Sequence, residues 1–222
     1  MKRLILALSL SVAGCGGSLK HTIDDNTLAS ATPEERSSIR AVRDEGNGAD
    51  DEFRSAQNEE KKAENDLSLA ANELKSAKLA KDSAKLNRQG AEASGDLNRK
   101  NRADRDFTAA DKAKDAADAK VEWLERRLKF TKRTRQAAEA HVDTIKARIE
   151  LEKAKLAQAK GIRPSEKFNV MDFEQQSTEK QQKYNDARRD ADEQKTIVDD
   201  KERRYITAQQ GADAARSAAQ GM

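Results

Sequence analysis

The chain has 222 residues, of which 37% are charged, 36% are hydrophobic and only 4% are aromatic. This composition is typical of long helices and coiled coils, and it excludes an average globular domain with a large apolar core. The 43 basic and 40 acidic residues nearly cancel to a net charge of +3, which argues against the alternative of a disordered chain held open by charge repulsion.

The first fourteen residues predict a signal peptide. Lys2 and Arg3 precede an apolar run from Leu4 to Ala13. Such a run spans only about 15 Å as a helix, whereas the core of a bilayer needs about 20 apolar residues. We therefore expect a segment that is removed during export, not a lasting transmembrane anchor.

The only cysteine lies two positions after this run. Val12, Ala13, Gly14 and Cys15 resemble the lipobox of bacterial lipoproteins, in which an aliphatic and two small residues precede the acylated cysteine. The resemblance implies cleavage before Cys15, a diacylglyceryl group on its thiol and a third acyl chain on its new amino group, with palmitate among the chains. Two or three chains anchor a protein stably in a membrane, whereas one holds only marginally. A chance cysteine beside an ordinary signal-peptidase site is the alternative.

The residue after the cysteine bears on the location. Gly16 stands where many lipoproteins retained at the inner membrane have an aspartate. The resemblance therefore implies a Gram-negative cell envelope, with the protein anchored in the outer membrane and facing the periplasm.

Residues 15–32 are predicted to be the lipidated cysteine and a flexible tether, because small and polar residues follow one another there without a hydrophobic period. Such a tether spans about 23 Å. A helix start comes next: Thr32 is a suitable cap, Pro33 suits the first helical position, and Glu35 completes a capping box.

From residue 33 to residue 222 apolar residues recur in alternating steps of three and four, which predicts one helical coiled-coil domain. Its helices are expected at about 33–88, 97–160 and 165–220. Gly46 and Gly48 are expected to fray or break the first helix. A turn near 89–97 is predicted from Gly90, Gly95 and Asp96, although a phase slip inside one very long helix is the alternative.

The second predicted helix carries two apolar stripes. The second stripe repeats every seven residues and consists of Ala109, Ala116, Trp123, Phe130, Ala137 and Leu151. A helix with two stripes needs a neighbour on each side, as the middle helix of a bundle does. We therefore predict an all-α, elongated antiparallel coiled coil, arranged as a three-helix up-down-up bundle with Trp123 buried. A long coil that self-associates through the same stripe is the alternative.

Six basic residues lie close to Trp123 and Phe130: Arg126, Arg127, Lys129, Lys132, Arg133 and Arg135. Together they would suit an anionic partner such as lipopolysaccharide, phospholipid headgroups or an acidic helix. The favoured interpretation is that acidic residues on a neighbouring helix neutralise the cluster.

No residue pattern predicts catalysis. His21 and His141 stand alone, and one cysteine permits neither an internal disulfide nor a thiolate metal site. We expect no enzyme activity, cofactor, metal, nucleic acid or small-molecule substrate.

The sequence thus predicts a structural or scaffolding rod that is held at a membrane through acyl chains on Cys15. A helical protein partner or self-association is compatible with this function. The alternative function is a protein-binding accessory subunit of an envelope-spanning secretion, efflux or motility complex.

Overall fold

A computed structural model describes residues 19–220. Three long helices form the rod: α1 (Ser37–Ser94), α2 (Leu97–Ala159) and α3 (Val170–Gln220). A short 3-10 helix (Asp25–Leu28) precedes them, and no strand occurs among the described residues. The predicted all-α fold is confirmed. The predicted signal peptide and the lipobox with Cys15 lie outside the described residues.

Helix α2 is the middle helix and runs antiparallel to both neighbours. Ion pairs mark the direction of α1 against α2, since Lys81 pairs with Asp111 near one end and Glu45 pairs with Arg148 near the other. Both α1 and α3 pack on α2, but no Cα of α1 lies within 8 Å of a Cα of α3. The up-down-up arrangement of three helices is therefore confirmed, with α2 as the helix that the other two share.

The apolar residues that recur in steps of three and four along α1 form a seam, and this seam faces α2. Its buried members are mostly small: Ile39, Val42, Ala49, Ala56, Ala63 and Ala70. Small side chains let the two helices approach closely, and a Cβ added to Gly46 would lie 3.3 Å from Cγ2 of Ile145. The expected fraying or break at Gly46 and Gly48 is wrong, because α1 continues unbroken through both glycines, where its seam packs on α2.

The turn between α1 and α2 is confirmed, although α1 extends to Ser94 and so beyond its expected end. Gly95 adopts a left-handed conformation with φ +70°. The side chain of Asp96 then caps α2, since one carboxylate oxygen accepts from the backbone N–H of Asn98 at 2.8 Å and of Arg99 at 3.2 Å. A glycine that ends one helix and an aspartate that caps the next make a sharp reversal.

The third helix begins later than predicted. Gly161, with φ +66°, ends the preceding helix, and the connection continues to Asn169. Ile162 and Phe168 pack on the core at this end of the rod, and the side chain of Asn169 accepts from the N–H of Met171 at 3.1 Å. Helix α3 therefore starts at Val170 and not near residue 165.

Residues 19–32 are not the flexible tether that the sequence predicts. Ile23 and Leu28 are each only 3% exposed, and both belong to the core at this end of the rod. The capping box does form: Thr32 N–H donates to Glu35 Oε2 at 2.7 Å, and Glu35 N–H donates to Thr32 Oγ1 at 3.3 Å. Helix α1 proper follows at Ser37, after a turn.

Candidate functional site

Two regions of the rod differ from a regular coiled coil, and we call them the base and the groove. The base is the end where residues 19–36 meet the end of α2, the loop 160–169 and the start of α3. The groove is a concave strip of α2, around Trp123 and Phe130, that lies between α1 and α3.

The base contains Phe173, the only aromatic residue among the buried hydrophobic residues of the described chain. Phe173 of α3 packs near Phe168 of the loop, with ring centroids 6.1 Å apart, and near His21 of the N-terminal segment at 5.7 Å. Ile23 and Leu28 join the same cluster. Because these residues come from widely separated parts of the chain, the base joins all of the segments that end there.

A buried charge network ties the N-terminal segment to α2. Lys153 Nζ donates to Glu150 Oε1 at 2.8 Å and to the carbonyl oxygen of Ile23 at 3.1 Å, and it pairs with Asp25 at 2.7 Å. Glu150 also accepts from the backbone N–H of Ile23 at 2.6 Å. Lys153 and Glu150 are only 7% and 8% exposed, so each depends on these partners for its charge.

The network shifts the pKa values of two of its members. Burial alone would lower the pKa of Lys153, but hydrogen bonds to Asp25 and Glu150 outweigh burial and raise it. The pKa of Asp25 is lowered, mainly by the hydrogen bond from Lys153. Burial acts in the opposite direction, and Arg43 lowers the pKa further. Both groups are therefore charged at neutral pH, which keeps the ion pair intact.

Helix α3 holds the same segment through one buried side chain. Gln176 Oε1 accepts from the backbone N–H groups of Lys20 at 2.8 Å and His21 at 2.9 Å. Its Nε2 donates to the carbonyl oxygen of His21 at 2.9 Å. An amide side chain can accept and donate at once, so Gln176 satisfies backbone groups that the segment would otherwise bury unpaired.

The groove has a volume of about 630 Å³ and is lined by all three long helices. Trp123 and Phe130, one heptad apart, form its floor with Ala56 of α1 and Val198 of α3 beside them. Trp123 stacks on Tyr205 of α3, with centroids 5.4 Å apart and planes at 6°. The tryptophan is thus half-buried, because one side packs on α3 while the ring still lines the groove.

Acidic residues stand on both walls of the groove. Glu52 and Glu59 belong to the α1 wall, and Asp199 and Glu202 belong to the α3 wall. Lys195 is the only lysine among the lining residues, and the guanidinium of Arg127 is already paired with Asp66 at 2.9 Å. The walls therefore carry an excess of negative charge.

Acidic residues of the neighbouring helices neutralise four of the six basic residues that the sequence places near Trp123. The pairs are Arg127–Asp66 at 2.9 Å, Lys132–Glu64 at 3.5 Å, Arg133–Asp190 at 3.9 Å and Arg135–Glu60 at 2.6 Å. Arg126 and Lys129 are exposed and have no ion pair within residues 19–220.

The contacts of His141 are structural. Its Nδ1 lies 2.9 Å from Glu52 Oε2 of α1, and its ring stacks on Tyr184 of α3 at 4.7 Å. Over the part of the chain that the structure describes, no group of three or more His, Cys, Asp or Glu is placed to hold a metal ion. None of the described helices is long and apolar enough to cross a membrane.

Sequence reasoning located the aromatic pair of the groove but missed the base. Trp123 and Phe130 can be recognised in the sequence because they are spaced by one heptad. Glu150 and Lys153 resemble any exposed ion pair three residues apart, and Gln176 has no distinguishing signal in the sequence.

Comparisons with protein-family models, with curated proteins and with solved structures find no match to this chain.

Proposed function

We propose that this protein is a lipid-anchored scaffolding rod of the bacterial cell envelope, acylated at Cys15 and held at the periplasmic face of the outer membrane. The observation that carries the proposal is the packing of residues 19–32 into the base. Only three residues separate Cys15 from Leu19, and that stretch of chain spans at most about 14 Å. The acyl anchor would thus hold the base of the rod close to the membrane.

The length of the helices supports a role in spacing. Helix α2 has 63 residues, which corresponds to about 95 Å. Interhelical ion pairs are spread along this length, from Arg88–Asp104 to Arg148–Glu45. Each exposed pair contributes little to stability, but a series of complementary charges favours one register and direction of the helices over others.

The anchor is tested by the fate of Cys15. Mass spectrometry of the protein extracted from membranes should find a mature chain that begins at acylated Cys15. Cys15→Ala should release the protein from the outer membrane or mislocalise it, whereas Ser18→Ala should not. An intact Met1 terminus or a free thiol in the cell would refute the anchor.

The groove favours a second candidate function, the accessory subunit of an envelope-spanning secretion, efflux or motility complex. A rod that only sets a distance does not need an aromatic floor between two acidic walls. Photocrosslinking in cells from position Ser55, which lines the groove, would give one discrete partner band if this function is correct. Crosslinking from the exposed position Ser76 serves as the control.

A further inference from the structure

We propose that the groove is the docking site for a basic amphipathic helix of a partner protein, which would lie against α2 as a fourth helix. This inference concerns the middle of the rod and does not depend on the lipid anchor.

The shape of the groove suits a helix. No Cα of α1 lies within 8 Å of a Cα of α3, and the two helices leave a face of α2 open between them at the groove. Trp123 and Phe130 lie one heptad apart on that face, about 10 Å along the axis. Ser55 and Ala56 on α1 are small and leave room above the aromatic rings. Apolar residues spaced three and four apart on a partner helix would reach both rings, which is the usual geometry of a helix docked in a groove.

The charges define the partner further. Each wall carries two carboxylates, Glu52 and Glu59 on α1 and Asp199 and Glu202 on α3. Glu52 interacts with His141, and Glu59 lies 3.8 Å from Arg127, but Asp199 and Glu202 have no ion pair within the described part of the chain. A helix whose apolar stripe is bordered by Lys or Arg on both sides complements the two unpaired carboxylates of the α3 wall better than an acidic helix or an anionic lipid surface does.

The single tryptophan reports directly on the site. The probe is a synthetic 21-residue helix with Leu at heptad positions a and d, Lys at e and g, and no aromatic residue. The titration uses the full chain carrying Cys15→Ser, which cannot be acylated. Binding should be saturable, should shift the emission of Trp123 to shorter wavelength and should weaken as salt is added.

Two matched double variants test the role of the walls. Asp199→Asn with Glu202→Gln removes two charges from the groove and should weaken binding of the lysine peptide by about tenfold. Glu174→Gln with Glu193→Gln removes two charges from exposed positions of α3 outside the groove. This control should change the dissociation constant by less than about threefold, because distant exposed charges are screened.

Several results would overturn the proposal. One is equal binding of a peptide with Glu in place of every Lys; another is an equal effect of the two double variants. A shift of Trp123 emission by phosphatidylglycerol vesicles would identify a lipid surface as the occupant. If the free chain dimerises and its emission shifts to the red on dilution, a second copy fills the groove instead.

Discussion

The backbone N–H of Ile23 donates a 2.6 Å hydrogen bond to Glu150, which lies 127 positions later in the chain. Lys153 completes the connection, because it donates to the carbonyl oxygen of the same Ile23. Both backbone groups of one residue are thus satisfied by side chains that are one helical turn apart on α2. This pairing converts a stretch with little local structure of its own into part of the folded base.

The first prediction concerns Lys153. Lys153→Met keeps most of the side-chain volume but leaves Glu150 buried without its cation, which should destabilise the base by about 3–5 kcal/mol. Hydrogen exchange of the amides in residues 19–32 should accelerate accordingly. Lys155→Met is the matched control, since Lys155 pairs with Glu152 on the exposed side of α2, and it should cost less than about 1 kcal/mol. Equal effects of the two substitutions would show that the buried network contributes no more to stability than an exposed ion pair.

The second prediction is a loosening of the base in acid. The pKa of Asp25 is lowered in the folded state, chiefly by the hydrogen bond from Lys153. Its stabilising contribution is therefore fully present above the unfolded pKa of about 3.9 and is lost as the pH falls through the lower, folded value. Limited proteolysis within residues 19–32 should increase over that window.

Asp25→Asn should make proteolysis within residues 19–32 less dependent on pH in this acid range. Asp44→Asn, at an exposed position of α1, should leave the pH dependence of the proteolysis unchanged. Titration of Lys153 should not change the stability of the base near neutral pH. Its pKa is raised, so its contribution is complete below about pH 10.5 and is lost only above it.

The third prediction compares two glycines. Gly90 lies within α1 and a Cβ there meets nothing within 4 Å, so Gly90→Ala should stabilise the protein by about 0.5–1 kcal/mol. Gly95 has φ +70°, so Gly95→Ala should destabilise it by about 1 kcal/mol. Thermal unfolding followed by circular dichroism measures both changes. Substitutions that act in the same direction would contradict the left-handed turn between α1 and α2.

The fourth prediction concerns Trp123 in the free protein. Because the ring stacks on Tyr205 and also lines the groove, its emission should lie between the values of a buried and an exposed tryptophan. Tyr205→Ala should shift the emission to longer wavelength, whereas Tyr184→Ala, which removes the ring that stacks on His141, should not. A half-buried ring leaves Trp123→Ala with a smaller cost than the roughly 3–5 kcal/mol typical of a buried aromatic residue.

The sequence alone predicts the three helices and their order, because alanines on the seam repeat with the heptad over long distances. It places the end of α1 too early, at residue 88, whereas the helix continues to Ser94. Lys81 and Arg88 occupy seam positions near this end, and the charged end of each pairs with an acid of α2. The guanidinium of Arg88 also lies 5.2 Å from the centroid of Phe107. Long basic side chains can fill a seam in this way, so a pattern scored on apolar residues loses phase where the structure does not.

The base could not be predicted from hydrophobic periodicity for a different physical reason. Ile23, Leu28 and Ala31 are buried, yet no period connects them, because the N-terminal segment packs through individual side chains and not as one face of a long helix. Its partners Glu150 and Gln176 lie on two other helices. Only tertiary contacts distinguish these polar residues from the many solvated ones around them.

The long middle helix has a mechanical consequence. A rigid lever of about 95 Å converts a tilt of about 10° at one end into a displacement of roughly 16 Å at the other. At the base, Glu150, Lys153 and Gln176 connect this lever and α3 to the N-terminal segment. For a rod held through its N-terminal segment, as proposed above, a small change in these contacts would be magnified into a change of reach at the Gly95 turn, at the other end of α2.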